Sequence, residues 1–199
     1  MKKLLLAVSL ALASTASQAI TIGQLSLAPA GDVVFSGDTH DVISGATGGT
    51  YGQLSATQDT LFTVTFIGKE AANANFYISN GVQVANTSTT TAYAGQSFSF
   101  NVAAGLIDFG FGGSGTATPA SNLTNFIGTI AYIPNNGSYV DASGNPFAFL
   151  IGFNDSGSPD GDYDDYVVGV SAVPVPAALP LLASALGMFG VARRRKTLA

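Results

Sequence analysis

The sequence predicts an all-β fold: a single β-sandwich domain, jelly-roll-like, over residues 20–172. Three observations carry this. Short runs alternate apolar and polar residues with a period of two, as strands with one buried face require. Glycine-rich turns and an Asn-Gly pair separate these runs. No long amphipathic helical pattern interrupts them. About 150 residues suffice for one domain with a sizeable core. Phe, Tyr, Val and Ile recur throughout, while charged residues make up only 10% of the chain, the opposite of a composition that stays disordered. Cysteine is absent, so no disulfide framework holds the domain.

Residues 1–19 read as a secretory signal peptide. Lys2 and Lys3 precede an apolar run, and Ser17 and Ala19 occupy the positions a signal peptidase reads. The expected cut follows Ala19. Strands are expected over 21–27, 61–67, 96–102, 107–111, 147–153 and 166–172. Within 61–67, Phe62, Val64 and Phe66 share one face and Leu61, Thr63, Thr65 and Ile67 the other. Residues 76–85 predict a hairpin, because Asn80 and Gly81 both tolerate the positive φ of a type I′ turn. That two-residue loop sets Tyr77 opposite Val84. A second hairpin is expected over 130–140, with Pro134 at a strand end because proline cannot donate to a ladder. The polar run Thr87, Ser88, Thr89, Thr90 and Thr91 reads as an exposed loop or edge strand, with a flat binding face or an O-glycosylation site as the functional alternative. Asn86, Asn122 and Asn136 begin Asn-x-Ser/Thr triplets, read as chance occurrences.

Charge narrows the partners. All twelve acids lie within 20–172 against one base, Lys69, which leaves that segment at −11. Nucleic acid and docking on anionic lipid through a basic face are thereby disfavoured. The acid–base inventory is thin. His40 is the only histidine and Glu70 the only glutamate. Asp38 and Asp41 flank His40 and could orient its ring. A hydrolase would need a nucleophile and an oxyanion hole as well, and no Gly-x-Ser-x-Gly elbow is present. One histidine and no cysteine disfavour zinc. No phosphate-cradling Gly-Lys-Ser/Thr occurs.

One stretch concentrates hard oxygen ligands. Five of the twelve acids lie in 154–165. Asp160, Asp162 and Asp164 alternate, so an extended backbone points them to one side, and in a tight loop they could converge on one ion. Asp155 and the Asn154 amide oxygen could complete a Ca²⁺ shell, with Asp165 facing away or bracing the loop. An EF-hand is excluded, because Asp165 stands where its turn glycine belongs and Ser171 where its bidentate Glu belongs. A solvated acidic turn is the alternative. The stretch also resembles a segment of secreted bacterial domains in which a Phe-x-Asp run leads to Asp-x-Asp-Tyr-(Asn/Asp)-Asp and then a strand. Phe153, Asp155, Asp160, Asp162, Tyr163, Asp164 and Asp165 match it. Calcium is what that resemblance implies. The ion would brace the last strand where it leaves for the membrane.

Residues 173–199 form the last unit. Val173, Pro174, Val175, Pro176 and Ala177 lead into an apolar run over 177–192, closed by Arg193, Arg194, Arg195 and Lys196. As a helix that run measures about 24 Å at 1.5 Å per residue, a little short of the ~30 Å hydrocarbon core. The cations belong on the cytoplasmic side, which places the domain outside. The tail resembles the PEP-CTERM sorting signal, most closely its Val-Pro-Leu-Pro-Ala variant. Val175 stands where that variant has Leu and the parent motif Glu. The resemblance implies an exosortase that cuts near the signature while the chain sits in the inner membrane. The product then passes to the cell surface or exopolysaccharide matrix.

The expected function is therefore a non-enzymatic exported surface or matrix protein with a structural calcium site. Its partners would be the exosortase, the inner membrane and exopolysaccharide. A carbohydrate-binding module is the alternative, with Tyr51, Tyr93, Tyr132 and Tyr139 as aromatic platforms. The rival from another class is a polysaccharide hydrolase using His40 with Asp38 or Asp41, or a carboxylate pair.

Overall fold

The computed structural model describes residues 18–35, 42–43, 45–70, 73–84, 94–113, 120–124, 128–155, 161 and 163–175. In chain order the strands are β1 (Ile20–Ile22), β2 (Leu25–Val34), β3 (Gly48–Ala56), β4 (Thr60–Gly68), β5 (Asn75–Ser79), β6 (Val82–Val84), β7 (Ser97–Val102), β8 (Gly105–Leu106), β9 (Phe109–Gly113), β10 (Ala120–Ser121), β11 (Ile130–Ile133), β12 (Phe149–Phe153) and β13 (Tyr166–Pro174). A 3-10 turn, Asn122–Thr124, follows β10, and no α-helix occurs among the described residues. The fold is all-β, built of two antiparallel sheets. The larger runs β1-β2-β3-β11-β12-β13-β4-β7, with β8 also on β3; the smaller runs β10-β9-β5-β6.

Aromatic rings join the sheets. Phe111 of the small sheet stacks on Phe153 of the large one at 5.4 Å and meets Tyr166 edge-on at 5.9 Å. Phe109 lies 6.3 Å from Phe62 and 5.7 Å from Tyr77. All six side chains are buried. A second apolar cluster covers the opposite face of β11, β12 and β13, formed by Phe35, Ile43, Ala131, Ile133, Phe147, Leu150, Tyr163 and Val167. These three strands are therefore buried on both faces. That explains why Ile130, Ala131, Tyr132 and Ile133 are all buried and show no alternation.

Two expectations hold to the residue. Phe62, Val64 and Phe66 face the core at 0%, 1% and 5% exposure. Asn80 and Gly81 turn with φ of 48° and 72°, and Tyr77 pairs with Val84. Two others are corrected. Residues 21–27 are not one strand, because Gly23 adopts φ 59° and folds β1 back on β2. The hairpin over 130–140 does not form. Its first strand, β11, ends before Pro134 and pairs instead with β12 and β3. Beyond it the Asn135 side chain organises a loop. Its Oδ1 accepts from the amides of Gly137 and Tyr139, and its Nδ2 donates to the carbonyls of Tyr139 and Phe147.

Asn122 is 1% exposed and saturated with hydrogen bonds. Its Oδ1 accepts from Leu54 N at 2.7 Å and from the Tyr132 hydroxyl at 2.7 Å. Its Nδ2 donates to the carbonyls of Leu54 at 2.8 Å and Ile107 at 2.7 Å. Its triplet therefore offers no free amide to a glycan. Asn122→Ala strands several buried groups at about 1–3 kcal/mol each. We expect urea unfolding of a chain spanning 20–175 to show a loss of about 3 kcal/mol for this variant.

Burial holds the phenols of Tyr77, Tyr132, Tyr163 and Tyr166 above their ordinary range, and at Tyr163 the hydrogen bond to Tyr51 adds to this. A phenol raised on folding contributes stability that is present below its unfolded value of about 10 and lost as pH rises toward the folded value. Stability should therefore be insensitive to these groups at neutral pH and fall steeply above about pH 10. Tyrosinate absorbance from these four rings should appear together with loss of near-ultraviolet circular dichroism. Titration of all seven tyrosines with the fold intact would contradict this.

Candidate functional site

The acidic stretch connects β12 to β13, and both of its described ends turn inward. Asn154, Asp155, Asp164 and Asp165 are all buried, so the base of the loop is not a solvated turn. The Asp155 carboxylate accepts from Asn73 Nδ2 at 3.1 Å and from Asn75 Nδ2 at 2.7 Å. Asn75 Nδ2 also donates to the Asp165 carbonyl at 3.2 Å. Asp165 Oδ2 accepts from the Asp155 amide at 2.8 Å, the bracing role expected of Asp165. The Asn154 amide donates to the Thr129 carbonyl, and the Asp164 carbonyl accepts from the Glu70 amide.

Asp164 is the exception in this network. It is 1% exposed, its Oδ2 accepts a long bond from Val42 N at 3.4 Å, and its Oδ1 is buried with no hydrogen-bond partner among the described residues. A buried carboxylate oxygen left without a donor or a cation is costly. Oδ1 is thus an atom that a hard cation such as Ca²⁺ fits. Among the described residues, no three His, Cys, Asp or Glu side chains lie together as a ligand group. Asp160 and Asp162, two of the expected ligands, lie outside the described residues.

Of the two backbones expected for the alternating acids, the extended one is set aside. Gly161 and Tyr163 both have φ of 62°, so the chain turns at each. For Tyr163 such a conformation costs about 1–3 kcal/mol and must be held by its surroundings. Its ring stacks on Phe35 at 5.5 Å, tilts against Tyr51 at 6.1 Å, and its hydroxyl lies 2.6 Å from that of Tyr51. Its carbonyl approaches β12 so closely that a Cβ at Gly152 would lie 2.1 Å from it. Tyr163 is thus an anchor that draws the acidic run against the second cluster. The sequence reading assigned no role to Asn73 and Asn75; their spacing of two, which places both amides on one side, was the available signal.

Asp38, His40 and Asp41 lie outside the described residues. The residues on either side of that segment are placed against the acidic loop: Phe35 on the Tyr163 ring and Val42 on Asp164. Of the four tyrosines expected as sugar platforms, Tyr132 is buried with its hydroxyl on Asn122. Tyr51 and Tyr139 are half-buried with their hydroxyls engaged, by Tyr163 and by the Val42 carbonyl respectively. Tyr93 lies outside the described residues. A polar cleft of about 150 Å³ opens beside Tyr139, lined by Thr47, Asn136 and Ser138 among others.

Val173 and Pro174 are the last residues of β13, paired with Leu61 and Thr60 of β4. The Val175 amide donates to the Asp59 carbonyl at 3.3 Å. Pro176, Ala177, Arg193, Arg194, Arg195 and Lys196 lie outside the described residues, as does the run 177–192. No helix among the described residues is long and apolar enough to cross a membrane. The expected bracing of β13 where it leaves for the membrane is corrected. The acidic loop feeds the start of β13 and the tail leaves from its end, about 26 Å away at ~3.3 Å per residue.

Compared with protein-family models, with curated proteins and with solved structures, the chain matches none.

Proposed function

We propose that this chain is a non-enzymatic exported protein of the PEP-CTERM type. It is held at the inner membrane by residues 173–199, cut there by an exosortase, and displayed at the cell surface or in the exopolysaccharide matrix. What supports this reading is the tail itself: the Pro-x-Pro signature, the apolar run over 177–192 and the closing cations Arg193 to Lys196. We propose further that the two sheets form a β-sandwich, jelly-roll-like; the rings of Phe111 and Phe153 stacked between the sheets support it.

Calcium belongs to the same proposal. Asp164, with its unpartnered Oδ1, and Asp155 would be ligands at the base of the loop, and Asn154, Asp160 and Asp162 would complete the shell. Its role would be to neutralise carboxylates buried beside Tyr163, which is structural and not catalytic. A carbohydrate-binding module remains the second reading, favoured by the polar cleft beside Tyr139.

Calcium at ten times its Kd should add about 1.4 kcal/mol to the unfolding free energy. A chelator should remove that increment, and Asp164→Asn and Asp162→Ala should each abolish the response while still unfolding cooperatively. Equal unfolding curves with calcium and with chelator would remove calcium from the proposal.

The sorting step is tested by the intact mass of the protein recovered separately from membrane and medium. A chain that begins near Ile20 and ends close to Ala177, with mass added at its C-terminus, is the expected result. A membrane-bound chain that still carries Arg193 to Lys196 would leave an uncut anchor and refute the exosortase step.

A further inference from the structure

We propose that the end of the domain from which the tail leaves is a lipid-docking surface, which lies in the headgroup region of the membrane that the tail spans. This rests on the anchoring reading above. The surface is organised around the turn between β3 and β4, residues 57–59. On one side the Thr57 amide donates to the Gln24 carbonyl, which holds the β1–β2 turn and brings Ile22 alongside. On another, Asp59 Oδ1 accepts from the Ala104 amide, and β8 pairs with Ser55 and Ala56, which brings Leu106. On the third, the Asp59 carbonyl accepts from Val175, and the Thr60 hydroxyl donates to the Val173 carbonyl. Three large apolar side chains thus lie on strands tied to one turn, and all three are open: Ile22 at 44%, Leu106 at 50% and Val173 at 55% exposure.

The occupant follows from where the chain continues. The Val175 amide donates to the Asp59 carbonyl, and the apolar run begins at Ala177. Two residues span at most about 7 Å. A tail that crosses the bilayer therefore leaves no room to hold this face clear of the headgroups, into which apolar faces settle by about 5–10 Å. Charge is sparse at this end. Asp59 in the turn and Asp108 beside Leu106 are exposed acids, the Asp59 carboxylate accepting from the Ala104 amide, whereas Asp155, Asp164 and Asp165 lie at the other end of β13. Contact with lipid would therefore come from the apolar side chains and the tail, not from attraction to an anionic leaflet.

The chain has no cysteine, so single-cysteine variants can be labelled cleanly. Ile22→Cys and Leu106→Cys report the proposed surface. Val34→Cys, 81% exposed at the far end of β2, and Val140→Cys serve as references. The full chain, labelled with an environment-sensitive fluorophore, is reconstituted into phosphatidylcholine–phosphatidylglycerol vesicles with and without headgroup spin-labelled lipid. The expected result is a blue shift at positions 22 and 106, with quenching several-fold stronger than at 34 and 140. If the chain incorporates but all four positions quench alike, the docking surface is refuted and the anchor survives. A blue shift at 22 and 106 without lipid quenching would show that a second copy or another protein covers this face, which also refutes it. A chain that fails to incorporate at all refutes the anchor, and the docking surface with it.

Discussion

Pairing of β13 along both edges is the constraint on which the rest of the structure depends. Residues 166–170 pair with β12 and residues 167–174 with β4. Val168 and Val170 pack into the cluster between the sheets, while Val167 packs into the cluster on the opposite face. One strand thereby closes both apolar layers. Displacing it would expose the Phe66–Tyr166 contact on one side and the Tyr163 anchor on the other. It also fixes the relation of the two stretches singled out for function, since the acidic loop enters at its start and the tail leaves at its end.

What the sequence made legible was local. An Asn-Gly turn sets a register by backbone stereochemistry alone, so Tyr77 opposite Val84 needed no knowledge of the remaining chain. Phe62, Val64 and Phe66 declare a one-sided strand by alternation. What was illegible depended on partners distant in sequence. β3 contains Gly48, Gly49 and Gly52 and carries little strand propensity of its own; pairing with β2, β8 and β11 makes it a strand. Residues 130–140 resemble a hairpin until β12 takes the edge of β11 and the Asn135 side chain claims the loop carbonyls. Tyr132 is an available platform under the carbohydrate-binding alternative, and nothing nearby in sequence shows that Asn122 will receive its hydroxyl.

The acidic loop illustrates the same division. Composition located it, because five carboxylates in twelve residues stand out in a chain with one base between the two ends. Geometry did not follow from spacing. Alternation places side chains on one side only if the backbone stays extended, and Tyr163 prevents that by inserting its ring beside Phe35 and Tyr51. The outcome is a loop whose base is held by amides of Asn73 and Asn75 as well as by its own backbone. Among the described residues those amides satisfy Asp155 but not Asp164 Oδ1, so a cation at the base of the loop would meet that oxygen first.

Strand pairing also constrains how a membrane protease could use the tail. A protease binds its substrate extended and unpaired, yet Val173 and Pro174 already lie in a ladder against Leu61 and Thr60. Under the proposed sorting step, either the cut would fall after Val175 or the end of β13 would open first. Opening there is the cheaper place on the strand. Pro174 has no amide proton to give the ladder, Val173 is more than half exposed, and β12 no longer pairs beyond Val170. The strand that is locked at its start by two apolar layers is thus progressively released toward its end. An intact domain and an accessible signature are compatible for that reason: the few residues that must fray contribute least to the core.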